Sequence, residues 1–110
     1  MPMLTLVVIR CRDLEHSRRF YEALGLAFSP EQHGAGPAHY STQLGTTVLE
    51  LYPSSAAASG VHLGFGVPDV MVAVDAVRAI GGRVDREPSA DAKTALVRDP
   101  DNNPVELAPA

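Results

Sequence analysis

Leu49-Glu50-Leu51-Tyr52-Pro53 returns 56 residues later as Val105-Glu106-Leu107-Ala108-Pro109. The same offset carries Asp13 onto Asp69 and Gly25 onto Gly81. Asp13 and Asp69 each stand where a helix N-cap stands, ahead of apolar residues at helical spacing. Gly25 and Gly81 each stand where a left-handed residue ends a helix. One offset fits a helix start, a helix stop and a late strand, which is the mark of a duplicated unit.

Working outward from these anchors, Leu4 to Ile9 is a β-branched apolar run and reads as a buried strand. Leu14, Ser17, Phe20, Tyr21 and Leu24 share one helical face, and Gly25 ends that helix. Three short strands are expected at Leu26–Ser29, Ala38–Leu44 and Thr46–Tyr52, with the turn-rich His33-Gly34-Ala35-Gly36-Pro37 between the first two. The small residues 54–60 read as a linker. The scheme then restarts. A strand is expected at Val61–Val67. A helix opened by Pro68-Asp69 and closed by Gly81-Gly82 follows, with Val70, Val74, Val77 and Ile80 on its apolar face. The last strands are expected at Arg83–Arg86, Ala92–Arg98 and Pro104–Ala108, the final one after the tight turn Asp99-Pro100-Asp101-Asn102-Asn103. The reading is an α+β fold of two βαβββ repeats, 1–53 and 61–110, within one domain. A single ferredoxin-like unit would need about two strands between the helices and fits the spacing less well.

The chain has 110 residues, one domain's worth, and 45% of them are hydrophobic, enough for a core. Nine Lys and Arg against thirteen Asp and Glu give a net charge of −4, which argues against a nucleic-acid binder. Cys11 is the single cysteine, so neither an intrachain disulfide nor a cysteine zinc cluster can form. No apolar run approaches a membrane span and no signal-peptide pattern opens the chain. A cytoplasmic protein is expected. A chain this short encloses a deep site poorly alone, so an enzyme of this size is expected to share its site in a homodimer.

Strand alternation supplies the chemistry. In Thr47-Val48-Leu49-Glu50-Leu51-Tyr52, the apolar face is Thr47, Leu49 and Leu51, so Glu50 and Tyr52 point to the opposite, concave face. By the repeat, Glu106 does the same in the second half. Glutamates in mid-strand are unfavourable on propensity, and a shared destination would explain both. His62 opens the second half's first strand, and its counterpart 56 residues earlier is Leu6. Of Leu6, Glu50, His62 and Glu106, three are good ligands for a divalent cation such as Zn²⁺, Ni²⁺, Mn²⁺, Fe²⁺ or Mg²⁺.

These residues resemble the vicinal oxygen chelate superfamily of glyoxalase I, bleomycin-resistance proteins and extradiol dioxygenases. Asp13-Leu14-Glu15-His16-Ser17-Arg18-Arg19-Phe20-Tyr21 is similar to that family's D-x-x-x-S-x-x-F-Y helix. Asp99-Pro100-Asp101-Asn102-Asn103-Pro104-Val105-Glu106-Leu107 looks like its D-P-D-G-N-x-x-E-L turn and strand. The resemblance implies paired βαβββ units curving into a barrel-like sheet, a homodimer at this chain length with each site drawing on both chains, and metal ligands on the first and fourth strands of each unit. Carried over, those positions are Leu6, Glu50, His62 and Glu106; Leu6 departs, since His or Gln is usual there. Arg10 matches an arginine that binds a glutathione carboxylate in glyoxalase I, but the expected partner asparagine is Ser54.

Each candidate has a bland alternative. Glu106 would be a ligand and general base, or a strand residue in a metal-free cavity. Glu50 and His62 stand or fall with it as ligands, and Glu50 could also move the proton. His39 and His33 could replace the ligand missing at Leu6; a solvated loop position is the favoured reading for both. Arg10, on the face of Leu6 and Val8, would bind an anionic substrate group or reach solvent. Tyr40 and Tyr52 line the cavity or pack in strands, while Cys11 reads as a buried structural thiol. The first expectation is a metal-dependent lyase or isomerase acting on a small substrate chelated through neighbouring oxygens. Ring-cleaving dioxygenase chemistry fits less well because Leu6 occupies the first histidine position. The alternative is a metal-free, drug-sequestering protein of the bleomycin-resistance type. Six aromatic residues and no tryptophan give it few stacking surfaces.

Overall fold

The computed structural model describes residues 1–56 and 60–110. The elements run β1 (Leu6–Cys11), α1 (Leu14–Ala23), β2 (Ser29–Glu31), β3 (His39–Leu44), β4 (Thr47–Pro53), β5 (Leu63–Val67), α2 (Val70–Ala79), β6 (Arg83–Arg86), β7 (Ala95–Arg98) and β8 (Pro104–Pro109). The strands form two four-stranded sheets, ordered β1-β4-β3-β2 and β5-β8-β7-β6. In each, the first and last strands of the unit pair in parallel and the others antiparallel. This is βαβββ twice, and the ferredoxin-like order is excluded.

The duplication holds at the level of register. Val7 pairs with Leu49 and Leu63 with Val105; Cys11 pairs with Pro53 and Val67 with Pro109. Every one of these pairs obeys the 56-residue offset. The antiparallel partner slips by one: Tyr40 faces Leu51, but Ala95 faces Leu107. The cause is the hairpin turn. Gly45 and Thr46 separate Leu44 from Thr47 in the first unit, whereas Pro100, Asp101 and Asn102 separate Asp99 from Asn103 in the second. Asn102 takes φ 67°, a conformation asparagine tolerates better than most residues.

Both helices start and stop by the same device. The Asp13 side chain accepts from the His16 N–H at 3.0 Å, and Asp69 from Val72 at 3.1 Å. Gly25 and Gly81 then leave the helical region at φ 105° and 78°. Some expected bounds move. The second strand begins at Ser29, because the Leu26 N–H reaches back to the Tyr21 carbonyl and Leu26 is spent on the helix end. The first strand covers Leu6–Cys11 rather than Leu4–Ile9, because its parallel partner spans Val48–Pro53. Ile80 caps α2 and stays exposed instead of joining the apolar face. Residues 57–59 of the expected linker lie outside the described residues.

One core runs through both units: Ile9, Cys11, Phe20, Tyr21, Leu49 and Leu51 with Val74, Val77, Val97, Val105 and Leu107. Two polar latches tie the units together. The Tyr21 hydroxyl donates to Asp99 at 2.7 Å, and the Arg12 backbone N–H and Nε–H donate to Asp101 at 3.2 and 3.1 Å. Burial, then the Asp99 carboxylate, push the Tyr21 hydroxyl far above its ordinary range, so it stays a donor. Cys11 is buried as expected, and desolvation pushes its thiol from 9.0 up to about 11, which makes it a poor nucleophile at neutral pH.

The molecule measures 50 × 37 × 22 Å. Its thin axis has room for a sheet and one layer of helices, spaced ~10 Å apart. Among the described residues the two sheets do not close on each other, which accords with the expected paired βαβββ units whose barrel a second chain would complete. No helix among the described residues is long and apolar enough to cross a membrane.

Candidate functional site

Alternation sorts the first sheet into two faces. Ile9 and Cys11 on β1 and Leu49 and Leu51 on β4 are buried against the core. Leu6, Val8 and Arg10, with Glu50 and Tyr52, therefore occupy the other face, as the sequence predicted. Leu6 is 51% exposed, so an apolar strip lies open beside Glu50.

Register places four polar or aromatic residues in one row across this face. Glu31 pairs with His39, and Arg10 with Tyr52. Tyr40 faces Leu51, so the next step of that ladder sets His39 beside Tyr52. The side chains follow the row. The Arg10 guanidinium lies 5.3 Å from the Tyr52 ring centre, and the Tyr52 and His39 rings stack at 4.1 Å. His39 Nε2 then lies 3.3 Å from a Glu31 oxygen, and 3.5 Å from a Glu50 oxygen in the neighbouring row.

His39 is the correction of greatest consequence. The sequence favours a solvated loop for it, but it begins β3 and its side chain is 1% exposed. The polar neighbours that can hold an imidazole inside were invisible in the local sequence, because they come from β2 and β4. His33 is exposed, as expected, and sits 3.7 Å from the same Glu31 carboxylate. Tyr40 turns the opposite way. Its hydroxyl donates to Glu15 on α1 and Arg18 lies over its ring, because neighbours on a strand cannot share a face. That contact, foremost among its causes, holds the Glu15 carboxyl below its usual range.

Among the described residues, Glu31, His33 and His39 form a group whose ligand atoms lie within 4.8 Å of one another. Glu50, His62 and Glu106 do not form such a group in one chain. Glu50 is mostly covered, its side chain 15% exposed. Glu106 is half exposed, with Arg86 at 4.0 Å. His62 is exposed just ahead of β5. Glu50 belongs to the first sheet and Glu106 to the second, and the two sheets do not close on each other. Glu31 is the member of the cluster that sequence reasoning missed. The signal was available in principle, since the β2–β3 register sets it opposite His39.

A glyoxalase-like domain family matches this chain over residues 6–108. No curated protein matches it. Several solved structures share the fold. The trypanothione-dependent glyoxalase I of Leishmania major is 24% identical with a TM-score of 0.74, over 99% of this chain and 87% of that one. The fosfomycin resistance protein FosX of Mesorhizobium loti is 18% identical with a TM-score of 0.74, over 100% and 93%. A glyoxalase/bleomycin resistance protein of Albidiferax ferrireducens T118 is 24% identical with a TM-score of 0.71, over 96% and 97%.

Proposed function

The chain belongs to the glyoxalase-like domain family, and on that premise we propose that it is a metal-dependent enzyme of the lyase or isomerase type, working as a homodimer on a small substrate that binds through two neighbouring oxygens. The observation that carries this reading is Glu50. It is a carboxylate in mid-strand on the open face of the first sheet, largely covered, with a histidine as its close partner rather than an arginine or lysine. A largely covered carboxylate in that setting is stabilised by a cation beside it.

The donor set fits a divalent metal: Glu50 from one chain, with His62 and Glu106 from a second copy, gives one imidazole and two carboxylates. The separate sheets and the thin, two-layered shape of one chain support the two-chain arrangement, since a second copy can cover the open sheet face that carries Glu50. When bound, the metal polarises a carbonyl oxygen of the substrate and stabilises charge that develops on it. Glu106, half exposed, takes the proton from the carbon beside that carbonyl. Glu50 is the alternative base. Arg10, exposed and steered by Tyr52, orients an anionic group of the substrate. With Ser54 where glutathione recognition wants asparagine, that group is not proposed to be glutathione's.

The open strip of Leu6 and Val8 favours one other reading, a metal-free cavity that sequesters an apolar ligand. Metal binding separates the two. Titration of the metal-stripped protein with Zn²⁺, Ni²⁺, Mn²⁺ and Fe²⁺ should show Glu106→Gln losing one bound ion per chain relative to wild type, with a solution mass of two chains in both. Equal binding by the variant would remove the enzyme reading and leave the sequestering one.

A further inference from the structure

We propose that Glu31, His33 and His39 form a divalent transition-metal site of their own, contained within one chain and separate from the ligand set Glu50, His62 and Glu106. The site needs no second copy, so it does not rest on the dimeric reading above.

His39 Nδ1 lies 3.1 Å from the Pro37 carbonyl oxygen, which can only accept. Nδ1 therefore carries the proton of the neutral ring, and Nε2 presents a bare lone pair. That Nε2 is buried and has no hydrogen-bond partner. Carboxylate oxygens of Glu31 and Glu50 lie 3.3 and 3.5 Å away, and neither makes a hydrogen bond to it. In the neutral ring this buried lone pair faces two carboxylates, an arrangement that a bound cation relieves.

Distances favour a metal ion there. Ligand bonds of about 2.0–2.1 Å in tetrahedral geometry put neighbouring donors about 3.3–3.4 Å apart. The His39–Glu31 separation is 3.3 Å, and His33 Nε2 lies 3.7 Å from the same Glu31 oxygen. The Pro37 carbonyl does for His39 what backbone acceptors do for metal-bound imidazoles, fixing tautomer and ring direction. Two imidazoles and a carboxylate suit Zn²⁺, Fe²⁺, Co²⁺ or Ni²⁺.

The internal repeat supplies an independent control. The second unit builds the same sheet, but Gly66 and Ala108 stand at the positions of Arg10 and Tyr52. By the shifted register of β7, Thr94 stands at that of His39. The fold therefore forms without the row, and its residues are free to serve something else.

Zn²⁺ is the probe. Metal-stripped full-length wild type, Glu31→Gln, His39→Gln and Glu106→Gln would be titrated against a chromophoric chelator, with circular dichroism confirming each fold. Glu31 is on the short edge strand and partly exposed, so Glu31→Gln keeps the test valid if His39→Gln fails to fold. The expected result is loss of one ion per chain, or at least about a tenfold weakening, in Glu31→Gln and in folded His39→Gln. Glu106→Gln should keep that ion whatever becomes of the shared one. The proposal is overturned if folded Glu31→Gln binds Zn²⁺ as wild type does, if Glu106→Gln binds none, or if wild type binds none at micromolar metal.

Discussion

Replacing Asp99 by alanine is expected to cost about 3–5 kcal/mol of folding stability, read from urea unfolding. Asp99 is 4% exposed and accepts four hydrogen bonds. One oxygen takes the backbone N–H groups of Asp101 and Asn103, each at 2.9 Å. The other takes the Asn103 side-chain amide at 2.9 Å and the Tyr21 hydroxyl at 2.7 Å. Alanine strands all four donors, and an unsatisfied buried donor costs about 1–3 kcal/mol before water relieves part of it. Tyr21→Phe removes one of these bonds and leaves Asp99 with three, so about 1–2 kcal/mol is expected. The ordering matters as much as the size. If Tyr21→Phe proved as damaging as Asp99→Ala, the carboxylate would owe its effect to the Tyr21 hydroxyl bond rather than to the bonds that hold the turn.

Mixing two inactive site variants is expected to regenerate metal binding. In a Glu31→Gln background, which removes the single-chain ion, Glu50→Gln and Glu106→Gln proteins should each lack the shared ion. A mixed dimer has one site with both lesions and one with neither. If subunits exchange at random, half the dimers are mixed, and about a quarter of wild-type shared sites return. No recovery after exchange, confirmed by mass, would show that Glu50 and Glu106 do not act across the dimer.

The duplicated unit was legible because it is written in backbone chemistry: Asp13 and Asp69 as caps, Gly25 and Gly81 as helix ends, and Glu50 and Glu106 in matched strands. These features are local, and the structure keeps all of them with one offset. The face of Glu50, Tyr52 and Arg10 followed from alternation alone. What local reading could not supply was cross-strand company. His39 looks like a loop histidine beside Pro37, and it is drawn inside by Glu31 and Tyr52 from strands on either side. Tyr40 failed as a cavity residue for the same reason: once His39 faces inward, its neighbour must face α1. The separation of the two sheets was equally out of reach, since periodicity fixes faces within a unit and is silent on how units meet.

The most direct test of the central claim is an anomalous difference map, recorded above the zinc edge, from crystals of the zinc-loaded protein. A zinc peak is expected about 2.0–2.2 Å from a Glu50 oxygen, ligated also by His62 and Glu106 of a second copy. A map with no zinc at Glu50, or with Glu50 bound to zinc while His62 and Glu106 of both chains lie elsewhere, would contradict it.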